Sequence, residues 1–249
     1  MKIGIVIPTY KSEKKIKKLI TLIERYVPKN TYFLCFVDGS PNNKTILEIK
    51  KKLSKNYIII KEIKKNSFLK ISTRCLASKI GFKWLIQNTK CQAIVDLDSD
   101  LAHDPKDITK GSSIILSKKA DLVIASKYRD YSKVFNRQII RKFISYIYTK
   151  FCRILFSKKI SDYSNSYRFY SKHSLKKLLN EKNTFNSPVQ HLENLLFYIK
   201  NNYRIKEISS VYKDTGEKSA SIRKLHLLIF IFQLFFLMMK NIHLINKIK

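Results

Sequence analysis

The chain has 249 residues and is 45% hydrophobic, enough apolar surface for one core with appendages and too much for a disordered chain. Its formal charge of +32 calls for an anionic partner, either nucleic acid or a membrane surface, or else reflects a general lysine bias. Only nine of the 50 basic residues are Arg; the Lys are scattered among Ile and Asn, and no recognition motif appears, which argues against a nucleic-acid reader.

The N-terminus runs straight into an apolar segment, 3–7, without the charged stretch and apolar run of a secretory signal. Cys35, Cys75, Cys91 and Cys152 lie far apart, the pattern of reduced cytosolic thiols, with neither a disulfide framework nor a zinc site. Segments 3–7, 32–37, 57–63, 93–97 and 121–125 are short, rich in Ile and Val, and bounded by turn or charged residues. Each predicts a strand buried on both faces. Between them, 14–26, 45–53, 71–86 and 105–116 carry helical periodicity; Ile16, Leu19, Ile20 and Ile23 make one face of the first and Lys14, Lys17 and Lys18 the other. The alternation predicts an α/β domain with a mostly parallel sheet flanked by helices, whose ligands sit beyond the carboxyl ends of the strands.

Segment 134–156 predicts a longer amphipathic helix. Ile140, Phe143, Ile144, Ile147, Phe151, Ile154 and Leu155 line one side, and Arg137, Arg141, Lys142, Lys150 and Arg153 the other. Two readings stand: a basic surface helix whose apolar and aromatic stripe packs on the core, or an interfacial helix lying on anionic lipid. The tail differs from all that precedes it. Residues 225–239 are apolar apart from His226 and Gln233 and have basic ends. About fifteen helical residues reach roughly 22 Å, short of a hydrocarbon core of about 30 Å. The expected organisation is a catalytic domain over 1–220 and a membrane-contacting helix within 221–249.

The chemistry is expected at strand ends. The first strand ends in Pro8-Thr9-Tyr10, where Pro turns the chain. The second ends in Asp38-Gly39-Ser40-Pro41-Asn42, a tight turn that leaves a carboxylate facing the cleft. The fourth gives Asp96-Leu97-Asp98-Ser99-Asp100, followed by Leu101-Ala102-His103-Asp104-Pro105. In an extended segment residues two apart share a side, so three anions there repel unless a cation lies among them. Hard oxygen ligands suit Mg²⁺ or Mn²⁺, either of which can bridge to a diphosphate.

In order, these motifs resemble glycosyltransferase family 2, and within it the dolichyl-phosphate or polyprenyl-phosphate mannosyltransferase-like branch. The segments that carry the resemblance are Ile5-Val6-Ile7-Pro8-Thr9-Tyr10, Val37-Asp38-Gly39-Ser40-Pro41 and Asp98-Ser99-Asp100-Leu101-Ala102-His103-Asp104-Pro105. Further along they are Ala120 through Tyr128, Asp162-Tyr163-Ser164-Asn165-Ser166-Tyr167-Arg168, Glu193-Asn194-Leu195-Leu196, Lys206-Glu207-Ile208 and Lys213 through Ser219. Val37 stands where the family has the first Asp of a pair, Lys127 where it has Arg, and 66–73 lacks the family's glycines.

The resemblance implies a GT-A fold and an inverting transfer from a nucleoside-diphosphate sugar. It implies that Asp98 and Asp100 hold the metal and that Pro8, Thr9, Tyr10 and Asp38 hold the nucleotide, with Asp96 nearby. By motif position, Lys127, Arg137 and Lys213 face the diphosphate, the sugar or an acceptor phosphate. Growing charge on a departing diphosphate is neutralised by a divalent cation and by Lys or Arg. A lipid-phosphate acceptor is already an anionic nucleophile; a sugar hydroxyl needs a carboxylate base, for which Asp162 is the first candidate. The expected activity is hexose transfer to polyprenyl phosphate at the cytoplasmic face of a membrane, the protein being peripheral or monotopic. The alternatives are a saccharide acceptor in capsule, lipopolysaccharide or cell-surface glycan assembly, or an inactive or nucleic-acid-binding basic protein.

Overall fold

The structure, a computed structural model, describes residues 1–62, 74–181, 185, 187, 189–215 and 224–241. The five apolar runs become β1 (Ile3–Thr9), β2 (Tyr32–Asp38), β3 (Tyr57–Lys61), β4 (Ala93–Asp96) and β5 (Leu122–Ser126). The helices between them are α1 (Ile16–Tyr26), α2 (Lys44–Lys52), α3 (Arg74–Asn88) and α4 (Asp107–Leu116). The glycine-poor stretch 66–73, residue 63 of the expected third strand and 216–219 of the last motif lie outside the described residues. Beyond β5 come β6 (Lys133–Phe135), α5 (Ile139–Leu155), β7 (Arg168–Ser171), α6 (Lys172–Asn180), α7 (Gln190–Lys200), β8 (Ile205–Ser209), β9 (Val211–Lys213) and α8 (Lys224–Lys240).

Seven strands make one sheet in the order β3-β2-β1-β4-β7-β5-β8. Its pairs are parallel except those of β7, which runs antiparallel to both β4 and β5. The chain walks outward from β1 to β2 and β3, then returns to lay β4 on the other side of β1. That reversal opens a crevice beyond the carboxyl ends of β1 and β4, where open α/β sheets take their ligands. β6 and β9 pair as a separate parallel ribbon.

Side chains alternate across the sheet as the two-residue strand period demands. Ile3, Ile5 and Ile7 of β1 join α1 and α4 in one core cluster, while Val6 points to the other, with α3, α6 and α7. Helix α4 approaches the sheet closely enough that a Cβ on Gly111 would lie 2.6 Å from the Phe169 ring. Gly111→Ala is therefore expected to cost about 1–3 kcal/mol, despite the better helix propensity of Ala. A urea midpoint equal to or above that of wild type would show that Phe169 gives way. The four cysteines are buried free thiols.

Helix α5 corrects one of the two readings left open for it. Its inner side is Ser145, Thr149, Cys152 and, just past its end, Phe156, all buried. Phe143, Ile144, Ile147, Phe151 and Ile154, read as a core-packing stripe, are exposed; the side chains of Ile140 and Arg141 lie outside the description. Helix α8 packs Leu237 into the second core cluster, and Ser187 donates a hydrogen bond to the side-chain carbonyl of Gln233. No helix among the described residues is long and apolar enough to cross a membrane.

Candidate active site

The parallel register sets Thr9 of β1 beside Asp38 of β2, and Asp38 beside Lys61 of β3, all at carboxyl ends. Thr9 Oγ1 and Ser40 Oγ donate to Asp38 Oδ1 at 2.9 and 2.7 Å. Lys61 Nζ reaches Asp38 Oδ2 at 3.0 Å and the Ser40 carbonyl at 2.7 Å. The Asp38 carboxylate, expected to face the cleft, has no exposed surface; it is the anchor around which the 38–42 turn folds. Tyr10 stands exposed at the end of β1, and the Lys11 N–H ties its turn to Ser40 Oγ at 2.8 Å.

At the end of β4 the alternate carboxylates come together, and an arginine that sequence reasoning missed binds two of them. Arg74, the first residue of α3, forks onto Asp96 with Nη1 at 2.9 Å from Oδ2 and Nη2 at 3.1 Å from Oδ1. Its Nε donates to Asp98 Oδ1 at 2.7 Å. Ser166 Oγ donates to Asp98 Oδ2 at 2.7 Å, and His103 Nε2 lies 3.5 Å from the same oxygen. Burial opposes ionisation of Asp98, but Arg74, His103 and Ser166 hold its carboxyl well below the usual carboxylate range. Leu101 takes φ 67°, a strained conformation for a branched side chain. It turns the chain so that Asp100 Oδ1 accepts the Ala102 N–H at 2.9 Å. Burial, then the Asp98 charge, raise the Asp100 carboxyl, against the Ala102 amide and the charges of His103 and Lys15.

The basic residues arrive from the other half of the chain. Lys127 follows β5, and its backbone N–H donates to Asp162 Oδ2 at 2.9 Å. Its Nζ lies 5.1 Å from the centre of the Tyr212 ring, and the Arg137 guanidinium lies 5.9 Å from the same centre, distances at which the ring attracts cations. Arg137 also donates to the Tyr128 hydroxyl at 3.1 Å. Tyr212 bridges to His103 as an isolated antiparallel pair, and the N–H of exposed Lys213 donates to the Ala102 carbonyl at 2.8 Å. Strand β9 thus brings Lys127, Arg137 and Lys213 alongside the Asp98–Asp100 loop. The structure gathers these sequence candidates at one end of the sheet; Tyr212, Ser166 and Lys61 join them without any spacing signal of their own.

Asp162 is placed differently from the expectation of a base. It has no exposed surface and accepts the N–H groups of Lys127, Ser164 and Asn165. Burial works against its charge, yet Lys127 and these amides outweigh it and depress its carboxyl. A depressed folded value contributes stability above the unfolded pKa of about 3.9, lost as pH falls through the folded value. Asp162→Asn is expected to melt lower at neutral pH and to lose less stability than wild type below about pH 4. Melting curves that stay parallel across that range would contradict the assignment.

The donor set fits a hard divalent cation. Asp98 and Asp100 present carboxylate oxygens on one loop, and burial, then the Asp98 charge, raise the Asp100 carboxyl. No group of three or more His, Cys, Asp or Glu side chains is disposed to enclose a metal among the described residues. Mg²⁺ and Mn²⁺ take hard oxygen donors of this kind, with one or two carboxylates sharing the ion with water and substrate phosphates.

The family model described as glycosyl transferase family 2 matches residues 4–179, more than half of the chain. A Pyrococcus furiosus protein named dolichol-phosphate mannosyltransferase is 29% identical over 145 residues, 58% of this chain and 38% of that relative's length. The chain therefore aligns with well under half of that relative. Mycobacterium tuberculosis glucosyl-3-phosphoglycerate synthase, solved with Mn²⁺, uridine diphosphate and glucosyl-3-phosphoglycerate, superposes with a TM-score of 0.60 at 14% identity, covering 91% of this chain and 74% of that one. Staphylococcus aureus TarS in complex with UDP-GlcNAc gives 0.58 at 18% identity, covering 89% and 62%. At such identities the likeness speaks to the fold, which is of the GT-A type.

Proposed function

The chain belongs to glycosyltransferase family 2, and on that premise we propose that it moves a hexose of the mannose or glucose type, with inversion, from a nucleoside-diphosphate sugar to polyprenyl phosphate at the cytoplasmic face of a membrane. The observation that carries this reading is the meeting of the Asp98–Asp100 loop with Lys127, Arg137 and Lys213 around Tyr212. The relative named for dolichol-phosphate mannosyl transfer supports the acceptor class, and solved neighbours that hold uridine diphosphate or a UDP-sugar support the donor class.

In this reading the donor lies in the crevice between β1 and β4. The Pro8-Thr9-Tyr10 turn would carry the nucleoside, with the exposed Tyr10 ring offered for stacking. Asp38 acts through the turn it anchors. Asp98 and Asp100 would hold Mg²⁺ or Mn²⁺, which would supply neutralisation of the charge that grows on the departing diphosphate. Arg74 fixes the rotamers of Asp96 and Asp98 before substrate arrives, so that no reorganisation is left for the reacting step. Lys127, Arg137 and Lys213 bind the anionic acceptor and orient its oxygen toward the sugar. A phosphate nucleophile needs no proton removed at neutral pH. The enclosed Asp162 favours this acceptor over a saccharide hydroxyl, which would need a base in contact with it.

The test is to incubate the protein and Mn²⁺ with radiolabelled GDP-mannose or UDP-glucose and polyprenyl phosphate in detergent. Label extracted into organic solvent supports the reading. Label passing only to a water-soluble saccharide would overturn the acceptor.

A further inference from the structure

Helix α5 is built inside out. A surface helix ordinarily turns its apolar stripe to the core and its polar side to water. Here hydroxyls lie inward, at Ser145 and Thr149, and Thr149 Oγ1 is buried without a hydrogen-bond partner among the described residues. Outward, Ile139 is 85% exposed, Phe143 62% and Ile154 66%, with Ile147 and Phe151 between them on the same face. Helix α8 likewise turns an apolar stripe outward. Phe232, Phe235, Phe236 and Met239 fall on one stripe at i, i+3, i+4 and i+7 and are all exposed, Phe232 by 69%, while Leu237 is buried on the opposite side. Both helices set their inner sides on the same core cluster. Water does not retain two such faces without a partner to cover them.

Charge identifies the partner. Between Asp130 and Asp162 the chain has no acidic residue and eight Lys or Arg; from Lys218 to the C-terminus it again has none. A second copy of this chain would press one basic, apolar face against another. An anionic lipid surface neutralises the charges and takes the aromatics into its headgroup and acyl boundary. As described, helix α8 is not long and apolar enough to cross a membrane, and its exposed Phe232, Phe235, Phe236 and Met239 suit contact along a lipid surface. We propose that the outward faces of α5 and α8 form a docking surface for anionic bilayers, with Phe143, Ile147 and Phe151 inserted and Lys142, Lys150 and Arg153 at the headgroups. Arg137 lies just ahead of α5 and beside Tyr212, so docking holds the basic mouth of the site at headgroup level. This deepens the membrane-face reading above, but its evidence is the geometry of two helices and needs no catalytic assumption.

The experiment is flotation of the full chain with phosphatidylcholine vesicles, with and without phosphatidylglycerol, at low and high salt. Wild type should float with the phosphatidylglycerol vesicles, stay behind with phosphatidylcholine alone, and detach in part at high salt. Phe143→Asp/Ile147→Asp should lower the partition at least about tenfold while melting with wild type, since both positions are exposed. Equal flotation of wild type and variant would overturn the proposal. So would no flotation of wild type, or a wild-type dimer in light scattering that the variant breaks. Glycosyl transfer in detergent, measured on the same variant, is expected at wild-type rate, so loss of docking and loss of chemistry are read separately.

Discussion

Asp100→Ala is expected to lower kcat by about 10²–10³-fold, the usual effect of deleting one group that stabilises developing charge, and to leave the fold intact. The two effects separate because of how Asp100 is held. Its one hydrogen bond among the described residues comes from the Ala102 amide, worth about 0.5–1.5 kcal/mol. Against that stand burial and the Asp98 charge, which raise its carboxyl and so make its ionised form costly at neutral pH. Removing the side chain loses the first and relieves the second, so the melting temperature should move little or rise slightly. A residue kept for structure would show the opposite pattern, a lower melting temperature with activity preserved in the surviving folded protein. Activity within about threefold of wild type would remove the metal-holding role from Asp100.

Arg74→Ala has the other large expected effect, on stability. It leaves Asp96, buried, and Asp98 without the guanidinium that meets both. Removing one partner of a buried ion pair costs about 3–5 kcal/mol, a large part of the roughly 5–15 kcal/mol that hold a domain together. Arg74→Lys should recover only part of the loss, because one ammonium cannot reproduce three directed N–H bonds to two carboxylates. Adding Asp96→Asn to Arg74→Ala should restore stability relative to the single variant, since the two residues are coupled and the orphaned charge is gone. A melting temperature for Arg74→Ala equal to that of wild type would show that solvent or another side chain takes over the clamp.

What could be read in the chain beforehand follows from the range of the interactions concerned. Strands β1 to β5 and helices α1 to α4 declare themselves through local periodicity, and the Asp98–Asp100 spacing is local too. Lys127, Arg137 and Lys213 were found by motif order, and the fold brings them to the Asp98–Asp100 loop through β9. Arg74 was not found, because its meaning lies in carboxylates 22 and 24 residues away, and locally it is one basic residue at a helix start. Asp162 was named as a base from its motif alone, which carries no sign of burial; the amides of Lys127, Ser164 and Asn165 enclose it. Strand β7 was missed since four residues beginning with Arg do not resemble a central strand. For α5 the period was legible and the direction was left open between core and lipid: a stripe of Phe and Ile announces that something apolar covers it, without saying whether the cover is the protein's own core.

The most direct measurement of the central account is thermal stability with GDP, UDP and their hexose conjugates, with and without Mn²⁺, on wild type and Asp100→Ala together. The account predicts a Mn²⁺-dependent stabilisation of wild type by one nucleotide family, about 2.7 kcal/mol at a hundredfold excess over Kd, absent in Asp100→Ala. An equal shift in both proteins, or no shift of folded wild type with any nucleotide, would contradict it.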